Sequence, residues 1–120
     1  MSRLILVCGS RGWKDRVKVW ETLDSLGLDP DDVIMHGGAR GADRLAGEWA
    51  SEHGYVSDVY HPDYKRYGSK APIMRDIAML DRCPSFVVAF WDGTSSGTGF
   101  VISEARMDGI PVQVVEKEDS

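Results

Sequence analysis

The chain is predicted to fold as an α/β protein: a Rossmann-like three-layer sandwich with a mostly parallel five-stranded sheet and helices on both faces. Three observations predict this. Short apolar runs alternate with amphipathic segments along 120 residues, the pattern of repeated βα units. The first, second and fourth runs are nearly unbroken, as in strands covered on both faces. Glycine-rich turns follow those same three runs, where a strand hands over to a helix.

Leu4-Ile5-Leu6-Val7-Cys8 is the first strand, and Gly9-Ser10-Arg11-Gly12 is its turn. Residues 15–26 follow as a helix with Val17, Trp20, Leu23 and Leu26 on one stripe, closed by Gly27. Val33-Ile34-Met35-His36 is the second strand and leads into Gly37-Gly38-Ala39-Arg40-Gly41. Ala42, Leu45, Ala46, Trp49 and Ala50 recur at helical spacing, the clearest amphipathic pattern in the chain. After Gly54, the more polar run 55–60 reads as a strand near a sheet edge. Residues 61–70 read as a polar, aromatic loop, and Pro72 suits the first position of the next helix, whose inner face is Ile73, Ile77 and Leu80.

Residues 85–91 form the fourth strand, followed by the turn Asp92-Gly93-Thr94-Ser95-Ser96-Gly97-Thr98-Gly99. Val101, Ile102, Ala105 and Met107 belong to a last helix closed by Gly109, and 111–115 is the final strand. One domain over 1–115 is expected, with 116–120 a frayed tail.

The net charge of −5 argues against a nucleic-acid grip, which needs a basic face, but leaves room for a locally positive small-ligand site. Cys8 and Cys83 sit in or beside apolar runs and read as buried free thiols; no Cys/His spacing suggests a metal. No signal peptide or membrane-length apolar run is visible, so a cytoplasmic protein is expected.

A helix N-terminus with glycine before it is a ready anion site, so the turns supply the ligand-binding candidates. These are Gly9, Ser10 and Arg11; Gly37, Gly38, Arg40, Gly41 and Asp43; and Trp91, Asp92, Gly93, Ser96, Gly97 and Thr98. Asp43 is either a cap at its helix start or an acceptor for a ribose hydroxyl. Ser96 or Thr98 is an alternative cap of the last helix, Trp91 either stacks on a base or packs, and Asp92 either binds ribose or forms a turn. Arg75 is a phosphate clamp or an exposed helical arginine. His36 reads as a hydrogen-bonded core histidine, and Tyr64, Lys65, Arg66 and Tyr67 as a lid, a solvated loop or an oligomer contact.

Taken in order, Gly9-Ser10-Arg11, the 36–43 turn, Met74-Arg75-Asp76 with Met79, Phe90-Trp91-Asp92-Gly93, Ser96-Gly97-Thr98 and Gly109-Ile110-Pro111-Val112 resemble the SLOG superfamily. This is the Rossmann-like group that contains the LOG phosphoribohydrolases and the DNA-processing protein A core. The resemblance is strongest to its small YspA/YpsA-type branch and covers about the whole chain. It implies a nucleotide or nucleotide-derived ligand such as an ADP-ribose-like molecule, with no certain cofactor. A homodimer is a further expectation, with the Trp49 helix or the loop at Tyr64 and Tyr67 as its interface.

LOG enzymes cleave the N-glycosidic bond of nucleoside monophosphates with a glutamate in a PGGxGTxxE turn and an arginine from an earlier helix. Arg75 matches that arginine through its Met74-Arg75…Met79 setting. The glutamate is not matched: Gly99, Phe100 and Val101 follow Thr98, and Glu104 comes later. Whether the chain is an enzyme is therefore open. Arg75, Asp92 and Glu104 are the catalytic candidates, with Glu48 a further carboxylate. A binding module that senses, carries or sequesters a nucleotide is favoured. The alternatives are a LOG-like phosphoribohydrolase and, against the acidic balance, a DNA-binding protein of the DNA-processing type.

Overall fold

A computed structural model describes residues 2–117. Five parallel strands, β1 (Leu4–Gly9), β2 (Val33–His36), β3 (Val56–Val59), β4 (Phe86–Trp91) and β5 (Val112–Glu116), form one sheet in the order β3-β2-β1-β4-β5. The connecting helices are α1 (Arg16–Asp24), α2 (Ala42–Glu52), the single turn α3 (Tyr64–Tyr67), α4 (Ala71–Leu80) and α5 (Ser96–Met107). The sandwich expected from the alternating pattern is present, and its sheet is parallel throughout the described residues.

Side chains alternate across a strand, so each central strand feeds two cores. Ile5 and Val7 of β1 pack with Val19, Leu23, Ala46 and Trp49 under α1 and α2. Leu6 and Cys8 pack with Met79, Val101, Ile102 and Ala105 under α4 and α5. The chain order reverses between β1 and β4, leaving a crevice at their carboxyl ends, where doubly wound sheets take ligands.

Several local expectations are corrected. Val17 points to solvent, because Val19 and Leu23 face the sheet and residues two apart on a helix lie about 200° apart. Residues 64–70 are helical, a turn of α3 capped by Asp63 running into a 3₁₀ turn at Gly68–Lys70. Pro72 is the second residue of α4, and Ile73 and Ile77 are exposed while Asp76, Met79 and Leu80 turn inward. Cys83 is exposed; Cys8 is buried. Glu116 belongs to β5, paired with Trp91, and 118–120 of the expected tail lie outside the described residues. Trp49 is buried, stacked on Tyr55 and donating to Asp24. Among the described residues no helix is long and apolar enough to cross a membrane.

Candidate functional site

A cavity of about 450 Å³ opens at the β1/β4 crevice. Its walls come from four places: the Gly9–Gly12 turn, Asp43 at the start of α2, the inward face of α4, and the first turn of α5. Ser10 ties the floor together. Its N–H donates to the Phe90 carbonyl at 2.9 Å, and its hydroxyl accepts from the Asp92 N–H at 3.1 Å.

Three N–H groups of the 36–43 turn are taken up within it. The Gly37 N–H donates to the Asp43 carboxylate at 2.9 Å, and that of Ala39 reaches the same oxygen at 3.4 Å. The Gly38 N–H donates to Nδ1 of His36 at 3.0 Å. His36 is buried, and burial, then His61 and Arg75, hold its pKa below the ordinary value. A neutral ring accepting at Nδ1 is the state this bond requires. Asp43 therefore braces the turn with one carboxylate oxygen; the helix cap is Gly41.

Arg75 enters the site across this turn. Its guanidinium occupies the space where a Cβ on Gly37 would stand, and Nη1 donates to the Gly37 carbonyl at 2.7 Å. Nε donates to Asp76 at 2.8 Å, and the side chain is 10% exposed. It is not an exposed surface arginine, and two of its five donors are already engaged. This pair sets the rotation of α4: turning Arg75 and Asp76 inward sends Ile73 and Ile77 outward. Asp76 was not a candidate from sequence; the available signal was a charged pair in an otherwise apolar helix.

The cavity thus holds two carboxylates, Asp43 and Asp76, and two arginines, Arg11 and Arg75. Burial raises Asp76, with Arg75 opposing. Burial also pushes Asp43 up to about 6, against the Ala39 bond, the Arg75 charge and the Gly37 bond. Cys8 lines the same wall, and burial pushes its thiol well up, so it stays protonated and unreactive.

The Asp43 shift carries a stability prediction. With an ordinary value of 3.8 and a folded value near 6, the folded state keeps a proton that the unfolded chain releases between those pH values. The Asp43 contribution to stability is then greatest below pH 4 and falls as pH rises to 6, by up to about 3 kcal/mol. An asparagine at this position would still accept both N–H bonds, so Asp43→Asn is expected to melt higher than the parent at pH 7.5, with the gap closing by pH 4. Melting curves of both proteins from pH 4 to 8 check this; a gap that is constant, or grows toward acid, refutes it.

The second turn behaves differently. Asp92 accepts from the N–H groups of Thr94 and Ser95 at 2.9 and 2.7 Å and from the Ser95 hydroxyl at 2.7 Å. The Ser95 and Thr94 bonds hold it far below the usual carboxylate range, so it is a poor general base. Trp91 donates from Nε1 to the Ser95 carbonyl at 2.9 Å and packs into the α5-side core. Trp91, Asp92 and Gly93 therefore shape the loop without lining the cavity. Glu104 and Glu48 do not line it either, and Glu48 lies 3.6 Å from Arg16.

The loop delivers the start of α5. Ser95 is the cap position, rather than Ser96 or Thr98, and makes no side-chain cap bond; no acidic residue sits in the first turn. The N–H groups of Ser96, Gly97 and Thr98 have no partner among the described residues, and all three residues line the cavity. Here the positive end of a helix faces an open space. Of the remaining candidates, Ser10, Arg11 and Gly9 line the same cavity, Gly37, Gly38 and Arg40 line an adjoining cleft, and Gly41 packs beneath the Ser10–Arg11 backbone.

A family model described as the YspA, cpYpsA-related SLOG family matches residues 3–67, more than half of the chain. The chain is also 40% identical over 117 residues to the Gene 61 protein of Mycobacterium phage D29, covering 92% of this chain and 94% of that one. No solved structure matches it. The family match takes in the Gly9 and Gly37 turns; Arg75, Asp76 and the start of α5 lie beyond it.

Proposed function

The chain belongs to the YspA, cpYpsA-related SLOG family, whose function is nucleotide-related in general terms, and on that premise we propose that it binds a nucleotide or nucleotide-derived ligand in the β1/β4 cavity. The phosphate sits against the free N–H groups of Ser96, Gly97 and Thr98. The ribose hydroxyls reach Ser10 and the Asp76 oxygen not taken by Arg75. The protein acts as a sensor, carrier or sequestering module for that ligand. The observation carrying this reading is the unpartnered first turn of α5 opening onto a cavity of about 450 Å³, a size typical of small-molecule sites.

A thermal-shift screen tests it. A ligand that binds only the folded state at a hundred times its Kd adds about 2.7 kcal/mol, a rise of roughly 10 °C for a domain of this size. AMP, ADP, ADP-ribose and dinucleotides form the panel. No shift with any of them overturns the reading.

A second reading, hydrolysis of an N-glycosidic bond, is favoured by one observation: the carboxylates in the cavity are Asp76 and Asp43, not Asp92, Glu48 or Glu104. Such a reaction needs a carboxylate beside an oxocarbenium-like centre, and Asp76 has an oxygen available. If this reading holds, free base is released from a nucleoside monophosphate, and Asp76→Asn stops release while changing affinity less than about threefold. No base release across a broad panel rejects it.

A further inference from the structure

In the 36–43 turn the N–H groups of Gly37, Gly38 and Ala39 are spent on Asp43 and His36, yet two of its glycines hold space open. What fills that space is basic. Arg75 occupies the position of a Gly37 side chain, and the His61 ring lies 2.8 Å from where a Gly38 Cβ would be. Arg11 and Arg40 stand beside them, around a cleft of about 290 Å³.

The charge of Arg75 is offset by Asp76. Arg11 and Arg40 are exposed and have no carboxylate partner among the described residues, in a chain whose net charge is −5. This cleft is not separate from the nucleotide cavity, since Arg11, Ala39 and Arg75 line both. A ligand anchored at α5 can pass over Arg75 into it.

We propose that the Arg11–Arg40–His61 cleft is a second anion subsite, so that the ligand carries two spaced anionic groups, one at the start of α5 and one here. This rests on the reading that the main cavity holds a nucleotide. It narrows the ligand class from a nucleoside monophosphate to a nucleotide bearing phosphates at two separated positions. Guanidinium groups suit this role because they meet phosphate oxygens bidentately and stay charged at every accessible pH. The first glycine turn then contributes to anion binding through the side chains it admits.

Titration calorimetry with AMP, ADP, ADP-ribose and adenosine 3′,5′-bisphosphate tests the proposal. Adenosine 3′,5′-bisphosphate, the one compound here with phosphates at two separated positions, is expected to bind tenfold or more tighter than AMP, and ADP and ADP-ribose, whose phosphates are adjacent, are the comparison. Arg40→Ala, an exposed change away from the main cavity, should remove most of that ratio. Arg106→Ala, at the last turn of α5, should leave the ratio intact. Affinities all within threefold of AMP overturn the subsite and leave the nucleotide reading standing. So does a preference that survives Arg40→Ala, or one that falls equally with Arg106→Ala. No binding by AMP or any other compound overturns both.

Discussion

Ser96→Asp is expected to raise the melting temperature slightly while cutting nucleotide affinity about a hundredfold. Ser96 is the first residue of α5, exposed at the cavity, in a helix with no acid in its first turn. A carboxylate there meets the positive end of the helix dipole and stabilises by about 0.3–1 kcal/mol, roughly one to four degrees here. The same carboxylate occupies the ground proposed for the ligand phosphate. Like charges about 4 Å apart near a protein surface repel by up to ~4 kcal/mol, and about 2.7 kcal/mol is a factor of a hundred in Kd. Scanning calorimetry with and without nucleotide separates the two effects. Few substitutions move stability and binding in opposite directions, so unchanged affinity would remove the phosphate from α5. A joint fall would mean a damaged fold instead. Ser96→Ala supplies the neutral reference.

Gly41→Ala is expected to cost about 3 kcal/mol or more and to lower the melting temperature by roughly 10 °C. Gly41 caps α2 at φ 85° and ψ −132°, a backbone conformation that side-chain-bearing residues rarely adopt. An added Cβ would collide with the Ser10 carbonyl oxygen and lie 2.7 Å from that of Arg11. Both obstacles are backbone, so no flexible side chain can yield, and the Gly9–Gly12 wall of the cavity must move. Nucleotide affinity should fall with stability. Gly97→Ala is the contrast. It stands in the first turn of α5 with no heavy atom within 4 Å of an added Cβ, and should stabilise by up to about 1 kcal/mol. Urea denaturation of both variants checks the pair; a Gly41→Ala protein within about 0.5 kcal/mol of the parent, the span of an ordinary surface change, would show that the two turns are not locked together.

Much of the architecture is legible along the chain. Val33–His36 is a strand with the expected bounds, and the Ala42–Ala50 stripe is the buried face of α2 apart from Leu45, which lies at its margin. Where the chain misled, two helical phases competed. In α4 the Ile73-Ile77-Leu80 spacing is as good as that of a core stripe, but the ion pair of Arg75 and Asp76 claims the inward face. In α1 the same holds for Val17 against Val19.

The site was legible as a place more than as a mechanism. Gly9, Ser10, Arg11, Asp43, Arg75, Ser96, Gly97 and Thr98 do meet around one cavity. Asp76 joins them, while Asp92, Trp91, Gly93 and Glu104 do not. Along the chain Asp92 reads as a turn former, with ribose binding or a general base as the alternatives. Four donors from Thr94 and Ser95 gather on its carboxylate, as a turn former requires.

The alternation of strands and helices, the glycine placement and a site at the strands' carboxyl ends follow from local patterning, because burial periodicity and backbone freedom are properties of a few neighbouring residues. Two similar glycine turns nevertheless dispose of their N–H groups differently. A backbone N–H is available to a ligand only if no other group has reached it. At the first turn Asp43 arrives from six residues away and Arg75 from thirty-eight to fill the space. At the second, Asp92 satisfies Thr94 and Ser95 and leaves the next three N–H groups open. That difference depends on the helices that pack over each strand end, and only the folded chain supplies it.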